Sequence, residues 1–309
     1  MNYITIKDAS KLWNISERRI RKLIQDKRIE GAIKVGTTWN IPKESTKPID
    51  KRIKLEENDF IIDIPKNFFE KIDKKKKILD SKRSLPRETI NSLMENTILE
   101  WTYNSNAIEG NTLTLIETKV VLEGITIGGK SMREHLEVIN HREAIKYLEE
   151  LVKQKNMLSE FDIRSIHRLV LKYIDDRIAG VYRTGQVIIS GATHIPPEGI
   201  FVNEKMEQLV LKYTKWCDKY HPLVVCALLH GEFVKIHPFE DGNGRTARLL
   251  MNFEAIKYGF TPIIIKNDIR KDYYLAIDKA VTTSNYTDFI KLIAKSCEES
   301  LDLYLKVIK

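Results

Sequence analysis

Apolar positions along the chain fall into two regimes. Over residues 1–45 they come in short blocks: Ala9 and Leu12, then Ile20, Leu23 and Ile24 at helical spacing, then Ala32 to Val35 and Trp39 to Pro42 around Gly36-Thr37-Thr38. This pattern predicts a short helix, a tight turn at Asn14-Ile15, a second helix capped by Ser16 and stopped by Gly31, and a two-stranded hairpin. From Pro86 onward the pattern is helical almost without a break. Pro86 suits a first helical turn, and Ile90, Leu93, Met94, Ile98 and Trp101 form one apolar stripe behind it. Capping signatures at Thr114 with Glu117, Ser131 with Glu134 and Ser159 with Asp162 open further amphipathic runs. One β-prone segment, Gln186 to Ser190, ends at Gly191 ahead of Pro196-Pro197 and reads as a small hairpin. The expected class is therefore all-α with a small β-hairpin flap and a small N-terminal helix-turn-helix unit. The expected domains are residues 1–45, a linker with short docked elements over 46–85, and a helical domain over 86–309.

Charge sharpens this division. The net charge is +8, and residues 1–52 hold 13 Lys and Arg against 6 Asp and Glu, leaving 38 against 37 for the other 257 residues. Basicity is thus an N-terminal property, as expected of a contact for a polyanion. At 42% hydrophobic and 30% charged residues the chain is not a disordered one. Its longest apolar run, Leu223 to Leu229, is far short of the roughly 20 residues of a membrane-spanning helix, and Met1-Asn2-Tyr3 opens no signal segment. Three cysteines, Cys217, Cys226 and Cys297, make no C-x-x-C pair and support no disulfide framework. A reducing cytoplasm and no membrane partner are the expectations.

Candidate chemistry concentrates in His237-Pro-Phe-Glu-Asp-Gly-Asn-Gly-Arg-Thr-Ala-Arg248, a loop between two apolar helices. Gly242, Asn243 and Gly244 can turn their N–H groups to one side as an anion nest, directly before a helix N-terminus that also favours phosphate. Arg245 and Arg248, three apart, are expected to share a face and grip phosphate oxygens. Asp241 is a hard oxygen ligand suited to Mg2+. His237 can take a proton from an attacking hydroxyl near neutral pH. A metal pair of His230 and His237, seven apart, is a weaker reading because no third ligand is adjacent.

The stretch matches the H-x-F-x-[DE]-G-N-G-R-x-x-R motif and resembles the Fic family at every defining position. That resemblance implies an all-helical enzyme that moves AMP from ATP to a hydroxyl side chain of a target protein or of itself. In it His237 is the base, Asp241 binds Mg2+, Gly242 to Gly244 hold the α- and β-phosphates, Arg245 and Arg248 hold the β- and γ-phosphates, and Phe239 anchors the loop. It also makes Val187, Ile188 and Ile189 part of a flap, which we expect to receive an extended target segment by strand addition. Upstream, Ser105-Asn-Ala-Ile-Glu109-Gly110 resembles the inhibitory helix of some Fic proteins, here near residues 104–110. Glu109 is expected to compete for Arg248, with Ser105 on the same helical face and Gly110 ending the helix. The run from Ala9 to Pro42 resembles the excisionase-like branch of MerR-type winged helix-turn-helix domains, which would bring Arg18, Arg19, Arg21 and Lys22 to DNA. Two other functions fit the same residues. One is removal of AMP from modified protein, and the other is a DNA-binding regulator whose core senses nucleotide. Either admits a homo-oligomer.

Overall fold

The computed structural model describes residues 3–13, 15–45, 47–48, 60–82 and 87–308. The expectations at Met1-Asn2, Asn14 and Pro86 lie outside the described residues. The chain divides between residues 56 and 57 into two compact units.

In the first unit, strand β1 (Tyr3–Thr5) leads into helix α1 (Ile6–Trp13), then α2 (Glu17–Gln25), β2 (Ile33–Val35) and β3 (Thr38–Pro42). The Ser16 hydroxyl accepts the Arg19 N–H and so caps α2. Ala9, Trp13, Ile20, Leu23 and Ile41 close a small core. Two expectations are corrected here. The sheet has three antiparallel strands in the order β1-β3-β2, because Ile4 pairs with Ile41 in the register that buries Ile41. Helix α2 ends at Gln25, ahead of Gly31. Lys27 takes a left-handed conformation (φ 54°), and the N–H groups of Lys27 and Arg28 return to the carbonyls of Ile24 and Leu23. This is a Schellman stop made with lysine, so no glycine marked it. Gly31 instead turns the chain into β2 with φ 71°, where a Cβ would meet Pro42 at 2.9 Å.

The second unit is helical: α3 (Glu70–Ser81), α4 (Arg87–Ile108), α5 (Leu115–Leu122), α6 (Met132–Lys153), α7 (Glu160–Val170), α8 (Val202–Lys219), α9 (Pro222–Ile236), α10 (Asn243–Lys257), α11 (Arg270–Thr283) and α12 (Thr287–Val307). All three capping boxes form, at Thr114, Ser131 and Ser159. Helices α9 and α10 are the centre. Nearly every residue of each is buried, with α8, α11 and α12 against α9 and with α4, α6 and α7 against α10. Two apolar helices packed at the middle of a bundle hold the loop between them by both ends, which is how the fold fixes residues 237–242. Helix α3 docks on α12, where Lys75 reaches Glu298 and Asp302, and its Ile72 and Leu79 join the main core.

The segment 186–195 corrects the expected hairpin, because it contains no strand. Its single internal backbone bond is the Ala192 N–H to Ile189 C=O turn. Val187 and Ile189 are half-buried, while Ile188 is 85% exposed. The far end is pinned by side chains, with Asp278 accepting from the Thr193 N–H and hydroxyl. Among the described residues no helix is long and apolar enough to cross a membrane. The three cysteines are unpaired, with Cys226 and Cys297 buried.

Candidate active site

Helix α9 stops at His237, whose left-handed backbone (φ 49°, ψ 60°) swings the following loop back over the core. The loop is then fastened from below. Phe239 is fully buried and stacks on His167 with ring centroids 3.5 Å apart. The Asn243 side chain accepts from the Phe239 N–H at 3.0 Å and donates to its carbonyl at 2.8 Å. His167 donates from Nε2 to the Asp241 carbonyl (2.7 Å) and accepts the Gly180 N–H at Nδ1 (2.8 Å), with burial holding its pKa down at about 4. Phe239 and the Asn243 side chain therefore shape the loop without facing a ligand.

Gly242 is left-handed (φ 75°), and α10 begins at the next residue with no side-chain cap. The first N–H groups of that helix have no partner within it, so they form an anion cradle on the pocket side. The cradle opens into a cavity of about 470 Å³ bounded by His237, Gly244, Arg248, Tyr273, Glu109 and the flap residues Ile189 to Ala192. Such a volume is ordinary for a small-molecule site.

A carboxylate already sits in the cradle. A Cβ built on Gly244 would lie 2.2 Å from Glu109 Oε1, so the Glu109 headgroup rests on the bare Cα of that glycine. The same oxygen is 2.7 Å from Arg248 Nη2. Arg248 is 2% exposed and also donates to the Ser105 hydroxyl (3.0 Å), the Ser105 carbonyl (2.7 Å) and the Tyr273 hydroxyl (3.2 Å). Burial alone would lower its pKa, but Tyr273 and Glu109 outweigh burial and leave it raised. Ser105 and Glu109 do not belong to a separate short helix. Ser105 lies in the last turn of the 22-residue α4, and Glu109 is the first residue past its end at Ile108, followed by Gly110 at φ 98°.

His237 is neutral at physiological pH. Burial and the nearby Arg183 charge pull its pKa down to about 4, against a weaker opposing pull from Glu109. Asp241 directly precedes Gly242, whose N–H its Oδ1 accepts. Burial would raise its pKa, yet Arg245, the Gly242 N–H and Arg133 together hold it below the usual value. Among the described residues no three His, Cys, Asp or Glu side chains come together as a protein-only metal site. A single carboxylate beside a phosphate cradle instead fits a Mg2+ ion that arrives with its nucleotide.

Arg245 departs from expectation. It is 2% exposed and turns to Glu137 (3.3 Å) and Asp241 (3.5 Å), while Arg248 turns to α4, so the two arginines do not share a face. His230 accounts for itself as a core residue. It is fully buried with Nε2 2.9 Å from the Tyr273 hydroxyl. The flap residue Ile189 borders the pocket, while Ile188 points to solvent. In the first unit Arg18 is exposed, Arg21 pairs with Glu17 and Lys22 with Asp26 along α2, and Arg19 is half-buried.

Sequence reasoning missed the organising role of three residues. Arg183, 2% exposed, donates to the carbonyls of Gly185, Pro197, Ile236 and His237. His167 and Arg133 were also missed. His167 had a faint signal, a polar residue in step with Ile163, Ile166 and Val170 on a buried face.

Comparison with known proteins follows the same outline. Residues 157–255 match the Fic/DOC family model. The chain is 36% identical over 251 residues to Protein adenylyltransferase Fic of Nematostella vectensis, covering 78% of this chain and 56% of that protein. It is 38% identical over 209 residues to the protein of the same name in Drosophila melanogaster, covering 66% and 41%. It thus spans about half the length of these curated relatives. Among solved structures, a Fic domain containing signaling protein from Bacteroides thetaiotaomicron superposes with a TM-score of 0.71 at 30% identity, covering 77% of this chain and 97% of that one. Fic-1 from C. elegans superposes with a TM-score of 0.66 at 34% identity, covering 77% and 73%.

Proposed function

Because the chain belongs to the Fic/DOC family, we propose that its helical unit transfers AMP from ATP to a Ser, Thr or Tyr hydroxyl of a target protein or of itself. The observation that carries this reading is that a neutral imidazole, an uncapped helix N-terminus and a buried arginine all open on one cavity. In the reaction His237 takes the proton of the target hydroxyl as its oxygen attacks the α-phosphorus. The bond from that phosphorus to the bridging oxygen breaks, and diphosphate leaves. The N–H groups of Asn243 and Gly244 hold phosphate oxygens, the Gly242 N–H being taken by Asp241 Oδ1, and Arg248 supplies the cationic grip on the far end of the triphosphate. Mg2+ held at Asp241 would neutralise phosphate charge. Arg245 steadies Asp241 from beneath. With the protein, Mg2+ and ATP, label at the α-phosphate is expected to become protein-bound and label at the γ-phosphate is not. Incorporation of γ-label alone would make the enzyme a kinase and end this reading.

The Glu109 contact with Arg248 supports a further part of this proposal, intramolecular inhibition of the class II Fic kind, carried by residues 104–110 within a Fic domain of residues 86–309. The flap at Val187, Ile188 and Ile189 is the docking edge for an extended target segment, supported by a backbone that has no neighbouring strand and by exposed Ile188. Ile188→Pro is expected to lower target modification several-fold without moving ATP affinity. Equal modification by parent and variant would count against strand docking.

For residues 1–45 we propose a winged helix-turn-helix that contacts DNA through Arg18, Arg19, Arg21 and Lys22. The support is a basic α2 packed against α1, which in turn meets the three-stranded sheet, with the charged residues of α2 exposed or half-buried. Each neutralised phosphate contributes about −0.9 to the log–log salt slope, so the double variant Arg18→Ala, Arg19→Ala is expected to reduce the slope by about 2. A salt titration of duplex DNA binding decides it, and no binding at about 50 mM salt would leave a protein-docking unit. Three free thiols fit a reducing cytoplasm.

A further inference from the structure

We propose that Arg133 is a resident counter-ion at Asp241, holding the seat of the divalent cation until the nucleotide–metal complex displaces it. The inference rests on reading the pocket as a nucleotide site. It concerns a residue outside the His237–Arg248 stretch.

Arg133 is the second residue of α6, and the capping box of Ser131 and Glu134 fixes its backbone. Its Nη2 donates to Asp241 Oδ2. The other carboxylate oxygen, Oδ1, is already committed, accepting the Gly242 N–H at 2.5 Å with Arg245 Nη2 at 3.5 Å. The oxygen left for a metal is therefore the one Arg133 covers. A hard cation binds through bare oxygen lone pairs, and a guanidinium donating to those lone pairs has to leave first.

The geometry lets it leave. The Arg133 side chain is 55% exposed, and its Nε already lies 3.2 Å from Glu137 Oε1, one helical turn along α6. Departure from Asp241 thus strands neither partner, since Arg133 keeps Glu137 and Asp241 keeps Arg245. An exposed ion pair contributes at most about 1 kcal/mol, which suits a placeholder better than a structural lock. The arrangement mirrors the other side of the cradle. Glu109 supplies the negative charge on Gly244 and Arg248, and Arg133 supplies the positive charge on Asp241. Both seats of a metal–nucleotide complex are filled by the protein's own side chains.

The test is calorimetric binding of α,β-methylene-ATP to the full chain carrying Glu109→Gly, once with Mn2+ and once in EDTA. Arg133→Gln is expected to tighten the Mn2+ complex about two- to fivefold, the range an exposed ion pair supplies. The metal-free nucleotide is expected to gain nothing, because removing a positive charge does not favour a bare triphosphate. Arg133→Lys, which keeps the charge, is expected to bind like its parent. If Arg133→Gln leaves the Mn2+ complex unchanged or weaker while Asp241→Asn removes the metal-dependent part of the affinity, the placeholder is overturned and the nucleotide reading stands. Equal tightening with and without Mn2+ would assign the effect to the general field and also overturn it. If the Glu109→Gly chain binds no nucleotide, the nucleotide reading itself fails and this inference with it.

Discussion

Glu109→Gly is expected to raise AMP transfer about ten- to a hundredfold, the effect of removing a coupling of about 1–3 kcal/mol. Two separate losses add up in this one substitution. The cradle at Gly244 loses the carboxylate that lies against its Cα, and Arg248 loses the acceptor that holds its Nη2 at 2.7 Å. Arg248 is not released into disorder, because Ser105 and Tyr273 still orient it. What remains is a preorganised cation facing an empty anion seat. Transfer of α-label onto the protein itself and onto added target, parent beside variant, is the measurement. If the variant is no faster while Arg248→Ala still abolishes transfer, Glu109 is a structural partner of Arg248 and restraint is not its role.

His237→Ala is expected to lower transfer by roughly 10²- to 10⁴-fold, the usual contribution of a general base, with ATP affinity changed by no more than a few fold. In the proposed reaction the imidazole acts on the hydroxyl, while the cradle and Arg248 hold the phosphates, so chemistry and binding would separate at this residue. The pH profile carries the same argument. A base is useful only while unprotonated, and burial holds the His237 pKa at about 4. The rate should stay level across neutral pH and fall only as pH drops toward that value. An acid limb near the ordinary histidine value of about 6.5 would show that the imidazole is solvated in the working state. Equal turnover of variant and parent would end the general-base role.

Much of the site was legible before any coordinates, and the reason is physical. A cradle needs Gly242 and Gly244 next to a helix start, a base needs an imidazole, and the cation needs arginine, so chemistry forces residue type at fixed spacing. Glu109 was legible for the same reason, as a carboxylate one helical turn past Ser105. What escaped was of two kinds. Long-range partners leave no local trace: Arg133 lies 108 residues from Asp241, and Arg183 finds its carbonyls by tertiary packing alone. Local conformations carried by atypical residues escaped too. Lys27 closes α2 where glycine is the usual signal, and β1 is three residues long and takes its register from Ile41. The flap failed in the opposite direction. Val187, Ile188 and Ile189 have strand composition, but β propensity needs a neighbouring strand to become a strand, and the backbone here has none.

Arg183 has a mechanical meaning. One guanidinium spans both stems of the flap, at Gly185 and Pro197, and the main chain at Ile236 and His237. Main-chain acceptors cannot rotate away as side chains do, so the four carbonyls behave as the corners of a bracket. The distance from the stems of the flap to the imidazole is then a built-in gauge, unchanged by what the flap tip does. A polypeptide laid along the flap, as proposed, would be measured against the imidazole by that gauge. The enzyme would choose its hydroxyl by how many residues separate it from the docked segment, much as a ruler selects a mark, before the identity of the neighbouring side chains matters.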